Sequence, residues 1–230
     1  MTPVAEGCFG LFGTGGCARS IMPFVPGALA AAGEDPARLQ IAFIDRQAGQ
    51  AISGIPVLSE ADFLARPGRR LFALGIAEPA LRQRLAATTE AAGAVATTLI
   101  APGVQVFASS HVGAGSVLCP GAIVTADARI GRHVHLNLMS YVEHDCRIGD
   151  FVTFAPGVKC NGAVEIGEAA YLGAGAMIRQ GTAGRPMRIG AGAVIGMGAV
   201  VLQDVREGTT VAGNPARELL PREEGGNHAR

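Results

Sequence analysis

The chain of 230 residues is predicted to fold as an α/β N-terminal βαβ unit, Rossmann-like in outline, followed by an all-β parallel β-helix of triangular section. Three observations carry that prediction. A six-residue beat of apolar and small residues fills the second half of the chain, glycines mark every third beat, and a strand-like GCFGLF at 7–12 runs straight into the Gly-rich turn GTGGCA. Composition agrees. The 33 glycines do not recur at every third position, so collagen is excluded. With 49% hydrophobic and 17% charged residues the chain can bury enough apolar surface to offset ordering entropy, so disorder is excluded too.

The N-terminal third is read first. A strand over 7–12 and the turn at 13–18 lead into a helix through the Ala-rich stretch to about Gly33. A second strand, 39–44, ends at Asp45; a third, 71–74, ends at Gly75 and precedes a helix over 80–92. In such a unit, Gly-rich turns let backbone amides approach a phosphate at a helix N-terminus. GTGG departs from GxGxxG, because Arg19 or Ser20 stands where the third small residue is expected, and a purely structural turn would look the same.

The repeat begins at Ile100. Stepping by six gives Val106, Val112, Leu118, Val124, Ile130, Leu136, Val142, Ile148, Phe154, Cys160, Ile166, Leu172 and Ile178, every one apolar. Four places after each comes a small residue, from Val104 and Ser110 through to Ala176 and Thr182. After an insertion around 184–187 the beat resumes at Ile189, Ile195 and Val201. Neither a 3.6-residue nor a two-residue period produces this beat, whereas one short strand plus one tight turn does. Gly follows Val112, Ile130, Ile148 and Ile166 at intervals of 18, so three hexads make a coil and the chain makes five to six coils. Glycines are expected to relieve the corners.

Candidate chemistry centres on Glu143-His144-Asp145. Val142 points inward in the hexad register, which turns Glu143 outward and sets His144 and Asp145 at an exposed corner. One coil to either side stand Ala126 and Gly162, so the imidazole belongs to no structural ladder and has small neighbours. A histidine titrates near neutrality and can take a proton from an attacking nucleophile, with an adjacent carboxylate fixing its tautomer. The amide of Gly162 is the expected donor to an oxyanion.

The hexads, VEHDC at 142–146 with RIGDFVTFAPGV after it, RIGAGAVIGMGAVVLQDV and the closing VAGNPAR resemble the hexapeptide acyltransferases. With the N-terminal GTGGCA loop, the chain is more narrowly similar to bacterial nucleotide-sugar acetyltransferases, which N-acetylate 4-amino-4,6-dideoxy sugars, and to their sialic acid O-acetyltransferase relatives. The resemblance implies a left-handed helix, against the usual crossover rule, a homotrimer, acetyl-CoA as co-substrate and no metal. It implies a nucleotide-sugar-binding domain over 1–98, an acetyltransferase domain over 99–216 and a tail over 217–230.

Residue by residue, the resemblance puts Gly15, Gly16 and Cys17 at the nucleotide sugar, Asp45 and Arg46 near its base or ribose, and Gly75 and Ile76 at the pocket's closure. His144 becomes the general base, Asp145 its orienting carboxylate with Glu143 as second choice, and Asn137 a substrate contact. Acetyl-CoA would run along Thr153, Gly173, Ala174 and the turn Gly190, Ala191, Gly192. Arg179, Arg185 and Arg188 border the insertion, where they either meet the CoA phosphates or are simply solvated. The family often carries His where Cys17 and Thr153 stand, so contacts through an imidazole at those two places are in doubt. Cys17 as a nucleophile is the weaker alternative.

Three other readings compete. A sugar O-acetyltransferase of the same fold would use the same base. A γ-class carbonic anhydrase needs three converging histidines, yet His111 and His135 fall on different faces of an 18-residue coil. A non-catalytic scaffold leaves EHD at a corner without a purpose. Nineteen basic and nineteen acidic residues give no field for nucleic acid or anionic membranes. The N-terminus has no signal-peptide order and no apolar run reaches 18 residues, so a cytoplasmic location is expected. Five cysteines without CxxC suggest reduced thiols rather than a disulfide framework.

Overall fold

The structure, a computed structural model, describes residues 6–219. The N-terminal region contains strand β1 (Gly7–Phe12), helices α1 (Gly16–Ile21) and α2 (Val25–Ala31), strands β2 (Leu39–Asp45), β3 (Gly49–Ile52) and β4 (Ile55–Ser59), helix α3 (Glu60–Leu64), strand β5 (Arg69–Leu74), helix α4 (Pro79–Ala91) and strand β6 (Val95–Ala96). The sheet order is β3-β4-β2-β1-β5-β6, parallel throughout except for the β3–β4 hairpin. Buried along its whole length, β1 lies between β2 and β5. The chain leaves β1 first to one side and later to the other, so the C-terminal ends of β1 and β5 frame the crevice where open α/β sheets bind ligands.

One expectation is corrected here. The single helix to Gly33 is broken into α1, a 3-10 turn at Met22–Phe24, and α2. Pro23 and Pro26 lack the N–H a continuous helix needs, and each instead occupies the first turn of a new segment. The β3–β4 hairpin and α3, capped by Ser59 accepting from the Asp62 amide at 3.0 Å, carry no periodic signal long enough to read.

From Leu99 onward the chain winds as a left-handed parallel β-helix of short strands in three sheets. We call these the first face (such as His135–Leu136 and Thr153–Phe154), the second face (such as Tyr141–Val142 and Lys159–Cys160) and the third face (such as Arg129–Ile130 and Arg147–Ile148). The first corner joins the first face to the second, the second corner joins the second to the third, and the third corner leads back. Register is that of the hexads: Leu136 pairs with Phe154, Val142 with Cys160, Ile148 with Ile166. Their side chains and the small residues between them form one continuous core from Leu118 to Val211.

The winding goes further than the repeat shows. Five three-stranded coils are followed by a sixth whose third side shrinks to an isolated bridge between Ile189 and Val205, and then by Thr210–Ala212. Arg217–Glu218, inside the expected tail, pairs antiparallel with that last strand, and residues 220–230 lie outside the described residues. Thr182 departs from the expected register: it is exposed and bridges to Arg185 at the start of the insertion. The corner glycines serve two purposes. At Gly113 an added Cβ would lie 2.5 Å from the Gly131 carbonyl oxygen of the next coil, so bare backbone is needed for close stacking. At Gly157 the requirement is a φ of +72°, and its counterparts Asp127, Asp145 and Phe151 adopt the same left-handed turn.

The N-terminal region sits on the first face. Helices α1 and α2 share a core with Leu99, Val117 and Cys119. Arg82 of α4 is fully buried against the third corner, with Nη1 donating to Ile76 O and Ala77 O at 2.9 Å and to Thr153 Oγ1 at 2.8 Å, and Nη2 to Phe151 O.

Candidate active site

His144 stands at the second corner, 60% exposed at its side chain, with Nδ1 2.8 Å from Asp145 Oδ2. Val142 and Cys146 beneath it are fully buried, which fixes the corner between two core positions. Asp145 has φ +61°, and this left-handed turn brings its carboxylate back beside the preceding residue's ring. The hydrogen bond to Asp145 raises the His144 pKa, with a further electrostatic contribution from Glu143. In the neutral ring Nδ1 carries the proton toward Asp145, leaving Nε2 as a base. Gly162 lies directly under the ring: a Cβ there would come within 2.5 Å of both Cε1 and Nε2.

The Gly162 N–H, the donor expected for an oxyanion, hydrogen-bonds Glu143 Oε2 at 3.1 Å, which ties Glu143 to the floor under the imidazole. Two coils past His144, the same corner carries the insertion. Arg179 and Arg185 are exposed there and line a cavity of about 620 Å³ with Gln180, Thr182 and Gln203. Arg188 is instead on the third face, its Nε 3.2 Å from Glu165 Oε2.

Most of the residues expected at the nucleotide sugar fall in two pockets. One, of about 390 Å³, opens at the C-terminal ends of β1 and β2 and is lined by Gly13, Asp45, Arg46, Ile76 and Arg84. Asp45 is held there by Thr14 Oγ1 at 2.5 Å and the Arg46 amide at 2.7 Å. The second, of about 230 Å³, lies between α1 and the first corner and is lined by Gly16, Cys17, Cys119, His135, Asn137 and Pro156. Gly15 is exposed at the mouth of α1 with open space around it. Burial pushes the Cys17 thiol up against the opposing influence of Arg82, so it is a neutral wall and a poor nucleophile.

Three further expectations are corrected. Gly75 lines neither pocket; a Cβ there would lie 2.7 Å from Ala18 Cβ, so glycine lets α1 close on β5. Thr153 is buried, accepting from Arg82 and donating to Ala77 O at 2.8 Å, and offers nothing to a cofactor. Gly190, Ala191 and Gly192 occupy the third corner, whereas Gly173 and Ala174 occupy the first, so the two groups cannot line one groove. The Gly190 and Gly192 amides are already bonded to Val205 O and Glu168 O.

The four histidines among the described residues do not converge: His111 is on the third face, His133 at the third corner, His135 on the first face and His144 at the second corner. No helix among the described residues is long and apolar enough to cross a membrane. Sequence reasoning missed His135 as a lining residue of the smaller pocket and Arg82 as the buried arginine that ties Ile76 to the third corner. The helix around Arg82 has no repeat that would mark one arginine as buried, and His135 enters the sequence reading only as a candidate metal ligand.

No family model matches the chain. It is 42% identical over 214 residues to the GDP-perosamine N-acetyltransferase of Escherichia coli O157:H7, covering 92% of this chain and 96% of that protein. Among solved structures, WeeI from Acinetobacter baumannii AYE superposes with a TM-score of 0.87 at 40% identity, over 93% of this chain and 100% of that one. Perosamine N-acetyltransferase from Caulobacter crescentus, in a variant with one histidine replaced by asparagine and in complex with CoA and GDP-perosamine, gives a TM-score of 0.82 at 27% identity over 94% and 99% of the two chains.

Proposed function

This chain belongs to the nucleotide-sugar N-acetyltransferases built on a left-handed β-helix, and on that premise we propose that it moves acetyl from acetyl-CoA to the 4-amino group of a GDP-linked 4-amino-4,6-dideoxy hexose, with GDP-perosamine the first candidate. The observation that carries the chemistry is the His144–Asp145 pair, 2.8 Å apart at an exposed corner over bare backbone. The amine nitrogen attacks the thioester carbon, His144 Nε2 takes the proton it sheds, and the C–S bond breaks to release CoA thiolate, which recovers that proton. Asp145 stabilises the imidazolium in between. Acetyl-CoA lies along the second corner, its phosphates toward Arg179 and Arg185, while the pocket at Asp45 holds the nucleotide.

The protein acts as a homotrimer in this account. The pocket containing Asn137 is at the first corner and His144 is at the second, with the whole second face between them. Large apolar side chains are exposed along that face and both its corners: Leu138, Met139, Met177, Met197, Phe107 and Leu202. When three copies turn their second faces to a common axis, the first corner of each meets the second corner of the next, a heterologous contact that closes as a ring. Each active site then joins one copy's His144 to its neighbour's Asn137 pocket, and Gly173 and Ala174 of that neighbour border the acetyl-CoA. Production of nucleotide-linked sugars for surface glycans, in the cytoplasm, follows from this substrate class.

The test is direct. Purified protein is incubated with acetyl-CoA and a panel of GDP-, UDP- and dTDP-linked amino sugars and their hydroxyl counterparts. CoA release with the mass of one acetyl group added to a GDP-linked amino sugar is expected. Acetylation of the hydroxyl sugars alone would transfer the assignment to O-acetylation.

A further inference from the structure

The acyl-transfer scheme leaves a buried polar side chain of the first-corner pocket unused. His135, in the first face, is 4% exposed, and its Nε2 has no hydrogen-bond partner although it is removed from solvent. An unmade bond at a buried acceptor is costly, and native folds keep few of them. The ring lines the pocket of about 230 Å³ between α1 and the first corner.

The state of the ring follows from its surroundings. Burial holds its pKa well below the ordinary value, Arg82 depresses it further, and a hydrogen bond with the Leu74 backbone opposes them. The ring is therefore neutral, with one N–H and one lone pair. Because Nε2 is unpartnered, the Leu74 carbonyl is reached through Nδ1, which assigns the proton to Nδ1 and the lone pair to Nε2. On the same pocket wall, Asn137 Oδ1 already accepts the Leu138 amide at 2.8 Å, leaving its Nδ2 hydrogens to donate. The remaining polar lining atoms include the thiols of Cys17 and Cys119, both pushed up by burial, the latter to about 12. The pocket thus offers an uncharged acceptor and an uncharged donor. A hydroxyl satisfies both at once; a phosphate, having no proton to give, would meet the Nε2 lone pair unfavourably.

We propose that His135 Nε2 accepts a hydrogen bond from a ring hydroxyl of the bound hexose, with Asn137 donating to the same sugar, so that this pocket selects the sugar while the pocket at Asp45 selects the nucleotide. The proposal rests on the nucleotide-sugar reading above, and it makes His135 a specificity residue that takes no part in proton transfer.

The test is a cycle of two proteins and three sugars, with a third protein as a rescue control. Wild type and His135→Leu are assayed with acetyl-CoA and GDP-perosamine, and with analogues lacking either the C2 or the C3 hydroxyl. On the parent sugar the variant is expected to lose about ten- to a hundredfold in kcat/KM, chiefly through KM. On one of the two deoxy sugars it should match wild type, and His135→Gln, which retains an acceptor, should recover part of the loss. Ratios between sugars are taken within one protein, so a reduced folded fraction cancels. Equal loss on all three sugars, or no loss on the parent, would overturn the role of His135. If wild type acetylates none of the three, the GDP-perosamine reading on which the proposal rests falls.

Discussion

Replacing Gly162 by alanine puts a methyl group where the His144 imidazole now lies. An ideal Cβ at 162 would stand 2.5 Å from both Cε1 and Nε2. Non-bonded carbons settle at roughly 3.5 to 4.0 Å, so the ring must withdraw by about 1 Å or more. The obstacle is the far end of an exposed side chain, and Gly162 is outside the left-handed region, so the backbone accepts alanine without strain. Folding stability should stay within about 1 kcal/mol of wild type. Catalysis should not, because the withdrawn ring loses its 2.8 Å bond to Asp145 and its position over the nucleophile. A displacement of that size costs about a hundredfold in rate, or ~2.7 kcal/mol. The assay is steady-state CoA release, with a melting curve on the same preparation. A Gly162→Ala protein with unchanged Tm and kcat/KM within about threefold of wild type would refute the placement of His144 over Gly162 as the working geometry.

Four other outcomes are expected. The Asp145 hydrogen bond raises the His144 pKa, and a base works only when deprotonated, so kcat/KM should rise with pH through a value above the ordinary 6.5; Asp145→Asn should shift that acidic limb to lower pH while lowering the plateau, and a limb that does not move would exclude the pairing. Arg82→Met leaves the Ile76 and Phe151 carbonyls without a donor and Ala77 O with the Thr153 hydroxyl alone, so urea unfolding should show a loss of about 3 kcal/mol or more. Thr153→Val should cost about 1 kcal/mol of stability and leave the KM for acetyl-CoA unchanged, as the burial of its hydroxyl between Arg82 and Ala77 requires. Asp45→Ala should raise the KM for the nucleotide sugar by about tenfold with no change for acetyl-CoA, which initial-rate measurements with each substrate varied in turn would separate.

The β-helix was legible because its core is one-dimensional. Every sixth residue meets the same environment, so Val142 inward and His144 at a corner follow from counting, and Gly162 under the imidazole follows from the 18-residue coil. The same arithmetic placed His111 and His135 on different faces. Contacts between the N-terminal region and the helix have no such period. Thr153 reads in sequence as one more outward residue of the first face, yet α4 covers it and Arg82 claims its hydroxyl. Gly75, Gly190 and Gly192 look alike as bare backbone near a ligand, but Gly75 relieves a helix against a strand, Gly190 relieves stacked coils and Gly192 takes a left-handed turn at φ +62°. Glycine reports that something comes close, without saying whether it is a ligand or the chain itself. The prolines at 23 and 26 were visible, and their effect on the Ala-rich helix was overridden by composition.

The central claim is that each site joins His144 of one copy to the sugar pocket of the next, and mixed oligomers test it most directly. His144→Ala removes the base; Cys17→Phe fills the pocket beside Asn137 and His135. Each variant alone should be inactive, and the two are co-expressed with different tags and purified through both. Where the halves of a site come from different copies, every doubly tagged trimer regenerates one intact site of its three, so CoA release should reach about a third of the wild-type rate. A doubly tagged population no more active than either parent would contradict the account, because it would mean that base and pocket must reside in the same chain.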